Sequence, residues 1–129
     1  MSRKLDSMSA ETRAATLRLI DVLRALDAMA QANIDRSHQI KARIHDLLAR
    51  LEAGERLPEI VETEVPPRIP TLITANIEAL HDVGATLRKA EAAALRVHGY
   101  TMEQIADLFG VTRQRISVLL RDQTPPSAG

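Results

Sequence analysis

The chain contains no cysteine and no tryptophan, and its aromatic complement is one tyrosine and one phenylalanine. Without cysteine there is no disulfide, no thiolate nucleophile and no cysteine-ligated zinc, a composition that suits a reducing compartment. Without aromatic bulk the core must be built from Leu, Ile, Val and Ala, and no aromatic-lined ligand pocket is in prospect. Apolar runs are short: none approaches the ~18 residues that a membrane-spanning helix needs. The first residues, MSRKLDSMSAETR, lack the apolar segment of a secretory signal. The expectation is a cytoplasmic protein without a membrane partner. Net charge is absent as well, with 17 basic residues against 17 acidic ones. Non-specific affinity for DNA comes mostly from phosphate neutralisation, so a neutral chain is a poor candidate for coating random DNA. β-branched runs are few and none alternates for long. Ala, Leu, Arg and Glu dominate, and these are good helix formers. The chain reads as all-α.

Catalytic groupings are missing too. The four histidines, His38, His45, His81 and His98, are widely spaced in sequence or fall on different helix faces. His38 and His45 lie two helical turns apart, too wide for one metal ion. No Gly-rich phosphate loop, acid/base pair or nucleophile motif is present. We expect no enzyme, no catalytic residue, no cofactor and no metal.

Proline and glycine set the organisation. Neither occurs before Gly54. Across that stretch Leu19, Leu23, Leu26, Ala30, Asn33, Ser37, Ile40, Ile44, Leu47 and Leu51 recur at spacings of three and four, a heptad-like seam. Ser9 or Thr12 is a plausible start and Gly54 the stop. The centre of the seam is polar. Either one continuous coiled-coil-like helix carries a polar layer, which can fix register, or the chain turns near residues 33–37 into a helical hairpin. A narrow apolar stripe on so long a helix needs a covering surface, which predicts self-association. Residues 1–56 are therefore read as a helical oligomerisation region.

Residues 57–70 form a Pro-rich linker in which Pro58 can open one helical turn through Val61, while Pro66, Pro67 and Pro70 oppose regular helix. Glu59, Glu62 and Glu64 make this stretch acidic, either a passive spacer or a docking strip. Thr71 is expected to cap a second long helix that reaches Val97 and stops at Gly99. That helix leads into the last folded part, so residues 71–121 are read as one DNA-binding domain. The polar, Pro-rich residues 122–129 are expected to be disordered.

The stretch YTMEQIADLFGVTRQRISVLLR, Tyr100 to Arg121, carries the functional signal. Ile105, Phe109, Val111, Ile116 and Leu119 stand where two short helices would bury a shared face. Ala106 is small where they cross. Gly110 takes the corner, whose left-handed conformation costs a residue with a Cβ about 1–2 kcal/mol. Thr112 is placed to cap the second helix. From residue 112 to 121 the net charge is +3 with no acidic residue. The candidate DNA-binding residues are Thr112, Arg113, Gln114, Arg115, Ser117 and Arg121. Arginine can pair with guanine and glutamine with adenine in the major groove, and serine reads several edges or a phosphate. Arg113 and Gln114, in the first turn, are expected at base edges, and Arg115 and Arg121 at phosphates.

The segment GYTMEQIADLFGVTRQRIS resembles the fourth conserved region of bacterial primary sigma factors, which reads the upstream promoter element. The resemblance covers roughly residues 85–121. It implies that Arg113, Gln114 and Arg115 lie at or near base edges and phosphates. Ser117 departs from it, standing where those proteins usually carry another basic residue. The basic tail that follows in them has no counterpart, and nothing upstream resembles their promoter-melting region, so the chain is not itself read as a sigma factor. Two readings follow. One is a homodimeric, sequence-specific regulator whose partner is double-stranded DNA. The other is a protein-interaction module that binds RNA polymerase or a sigma factor through the same head.

Overall fold

A computed structural model describes residues 5 and 7–121; the tail at 122–129 lies outside the described residues. The described residues are all-helical, with five α-helices: α1 (Ala10–Glu52), α2 (Leu57–Thr63), α3 (Ile69–Val97), α4 (Met102–Phe109) and α5 (Arg113–Arg121). No helix among them is long and apolar enough to cross a membrane.

The hairpin alternative for the first 53 residues is set aside, because α1 runs unbroken through 43 residues. Its start is fixed by Ser9, whose Oγ accepts from the Thr12 amide at 3.2 Å. Its end is fixed by Gly54 in the left-handed region, with the Glu55 amide donating back to the Arg50 carbonyl at 3.1 Å. The side chains of the same two residues meet there: Arg50 Nη2 lies 2.9 Å from Glu55 Oε1. That hydrogen bond holds the Glu55 carboxyl below its ordinary range and raises the Arg50 guanidinium.

The short turn expected at Pro58–Val61 is a longer helix, α2, continuing to Thr63 with Pro58 in its first turn. Ile60 is 1% exposed and anchors it. The second long helix also begins earlier than Thr71, at Ile69, with Pro70 inside its first turn. Proline lacks only an amide that has no helical partner there, so the earlier start costs nothing in hydrogen bonds. The far end falls at Val97 as expected, closed by Gly99 with positive φ.

The chain forms two compact units. One is Met1–Leu26 with Val83–Gly129 and the other is Asp27–Asp82. In the second, α1 and α3 are joined at the polar centre of the seam. Arg36 Nη1 donates to Asn76 Oδ1 at 2.7 Å and to Asn33 Oδ1 at 3.0 Å, and Asn76 Nδ2 donates to Ser37 Oγ at 3.3 Å. The polar groups of the seam are thus satisfied within the chain, by an asparagine 40 residues away. Further along, Arg43 Nη1 donates to the Val65 carbonyl at 2.6 Å and Arg50 Nη1 to Thr63 Oγ1 at 3.2 Å. In the first unit the core is Ala92, Ile105, Ala106, Ile116 and Leu119, with Leu95, Met102, Phe109 and Leu120 packed around it.

Candidate nucleic-acid interface

The C-terminal head is built by exact agreement between sequence and local geometry at its two caps. Thr101 opens α4 with a capping box: its Oγ1 accepts from the Gln104 amide at 3.1 Å, and Gln104 Oε1 accepts from the Thr101 amide at 2.9 Å. Two amides that a helix start leaves unpaired are so satisfied. At the other end Gly110 adopts φ 68° and ψ 33°. Its amide donates to the Asp107 carbonyl and the Val111 amide to the Ala106 carbonyl, the paired bonds of a Schellman turn. Two residues on, Thr112 Oγ1 accepts from the Arg115 amide at 3.2 Å and caps α5.

The expected shared face is present with one exception. Ile105 and Ile116 are fully buried, Ala106 and Leu119 nearly so, and Phe109 packs against them. Val111 does not join them: it is 38% exposed, because the residue after the left-handed glycine is carried outside the corner. The face is completed by residues the motif alone did not offer. Ala92 and Leu95 come from the end of α3, and Met102 from the start of α4. The side chain of Ala92 is small, so α3 supports the two short helices at close range.

With 100° between successive residues of α5, positions 114, 118 and 121 stand opposite the stripe buried at 116 and 119. Gln114, Val118 and Arg121 are accordingly exposed. Arg113 and Arg115 flank this ridge on either side, also exposed, while Ser117 is half-buried at its edge. Thr112 is exposed, with its hydroxyl already accepting the capping bond. Among the described residues the side chains of Arg113, Gln114 and Arg115 make no hydrogen bond or ion pair. Arg113, Gln114, Arg115, Ser117 and Arg121 therefore lie on or beside the outward side of α5, a helix without acidic residues, and Thr112 stands at its capped start.

Two residues of this surface were not singled out from sequence. Val118 lies one turn beyond Gln114, and its i+4 spacing was the available signal. Arg96, near the end of α3, lines an open concavity of about 380 Å³ with Thr101, Met102, Glu103 and Arg113. Its Nη1 donates to the Tyr100 carbonyl at 3.0 Å, which holds the guanidinium beside the first turn of α4. Arg96 belongs to a different helix, and only the folded arrangement brings it to Arg113. Among known proteins the chain matches no family model, no curated protein and no solved structure.

Proposed function

We propose that this protein is a sequence-specific DNA-binding transcriptional regulator that acts as a homodimer and reads the major groove of double-stranded DNA with α5. The observation that carries the reading is the outward ridge of that helix. It presents an amide, an aliphatic side chain and a guanidinium at Gln114, Val118 and Arg121, and arginines flank it on both sides. Gln114 suits the paired donor and acceptor of adenine, and Val118 suits the methyl group of thymine. Arg113 lines one concavity with Arg96 and Glu103 at the start of α4, away from the outward ridge, and is better suited to a phosphate than to a base edge. Arg115 and Arg121 complete the phosphate contacts. A local excess of basic charge on this helix, +3 over residues 112–121 in a chain of zero net charge, favours a specific reader, since bulk electrostatic attraction is absent.

Selection of bound sequences from a random duplex pool tests the proposal directly. A defined motif that parent protein binds, and that Arg113→Glu loses while keeping its helical signal, is the expected result. Failure to enrich any sequence at low salt would overturn it. The second reading, a module that docks RNA polymerase or a sigma factor, draws support from one observation. Leu108 on α4 is 64% exposed, an apolar side chain on the head that DNA has no use for. Leu108→Glu should leave DNA binding intact under the first reading.

A further inference from the structure

The helix α1 bears two apolar stripes, and only one of them is covered. Leu26, Met29, Ile40 and Leu47 are half-buried, while one step round the helix Ile34, Ile44 and Leu48 are 50%, 39% and 48% exposed. On α3, Ile73, Ile77 and Leu80 are 43%, 62% and 55% exposed, and their i, i+4, i+7 spacing puts them on one ridge. The two exposed stripes meet. Ile34 and Leu80 line a single open groove of about 350 Å³, with Ser37, Lys41 and Asn76 along it. Both stripes belong to the unit Asp27–Asp82. In that unit Ile60 and Leu72 are the only fully buried hydrophobic side chains.

We infer that a second copy of this chain covers that face, the α3 ridge of each copy seated in the α1–α3 groove of the other to form a four-helix bundle. This deepens the homodimer reading above and rests on it, but not on DNA binding. Three arguments single out a second copy. The six side chains expose roughly 500 Å² of apolar surface, toward the upper end of the largest apolar patch that a soluble monomer ordinarily carries. Two such faces together supply about 1,000 Å² before their flanking atoms are counted, the area at which specific interfaces begin. The face is also self-complementary, one ridge beside one groove, which is what a two-fold pairing requires. And a unit with so little core of its own needs its cover whenever it is folded, which a transient partner does not provide.

Light scattering at micromolar concentration should give about twice the 14.2 kDa chain mass for the parent. A monomer there would overturn the homodimer reading and this inference with it. With the parent dimeric, Ile77→Glu should weaken association at least 100-fold, and Leu108→Glu on the head should leave it unchanged. A dimer that tolerates Ile77→Glu would show that the copies meet elsewhere, with the homodimer itself intact. Should Ile77→Glu fail to fold, thiol accessibility decides, because the chain has no cysteine of its own. Ile77→Cys should react with a maleimide at least tenfold more slowly than Glu78→Cys, an exposed position about 100° further round α3. Equal rates would place the face in solvent and overturn the inference.

Discussion

Gly110 matters to the head through its backbone alone. A Cβ built there meets nothing within 4 Å, while φ is +68°. Replacement therefore costs the conformational penalty without a clash. Gly110→Val should destabilise the head by about 1–2 kcal/mol, and Gly110→Asn by distinctly less, since asparagine tolerates the left-handed region. Thermal melts of the two variants check this. At the proposed reading surface, Gln114→Ala should cost about 1–3 kcal/mol on the preferred site and relax base choice at one position. Arg113→Ala should instead weaken binding across sequences and lower the salt slope by about one counterion. Titrations on the selected site and on scrambled duplexes, at two salt concentrations, separate the two behaviours. Glu55 gives a pH effect of known sign. Its carboxyl is held below the ordinary range by Arg50, so its contribution is complete above that range. It is lost as pH falls through the lowered folded value. Glu55→Gln should remove this acid-side slope from the stability profile and leave the neutral-pH fold unchanged.

The helices themselves were largely written in local chemistry. Ser9, Gly54, Gly99, Gly110 and Thr112 each mark a helix end in the sequence, and each makes or permits the terminal geometry expected of it; the Thr101 capping box was not singled out beforehand. Proline was overread as a barrier at 70, where a first turn accommodates it, while the helix that Pro58 opens runs two residues further than the single turn expected. What periodicity could not supply was pairing. A spacing of three and four shows that a helix face is apolar, not whether it is covered, and α1 has two such stripes. The polar residues Asn33 and Ser37 likewise looked like a layer between chains until Asn76 of α3 was found bonded beside them. Arg96 and Ala92 were invisible for the same reason, since both act on the head from another helix. Thr112→Ala tests the element scale: losing the α5 cap should cost about 1 kcal/mol, with fraying confined to the start of that helix. Amide exchange at Gln114 and Arg115 would report it.

For the whole molecule, the inferred pairing would link folding to concentration. If a second copy completes the core of the unit Asp27–Asp82, that unit unfolds and dissociates together, and its melting midpoint should rise with protein concentration. The head, with its own buried cluster, should be much less sensitive. The two responses can be observed separately because of where the aromatic residues fall. Tyr100 sits between Gly99 and the Thr101 cap, with Arg96 donating to its carbonyl, and it is the only tyrosine in a chain without tryptophan. Its emission is therefore an intrinsic optical label on the head, with no competing fluorophore elsewhere. Circular dichroism follows every helix at once, and tyrosine fluorescence follows one corner, so an unmodified sample carries both a global and a local reporter of its own melting.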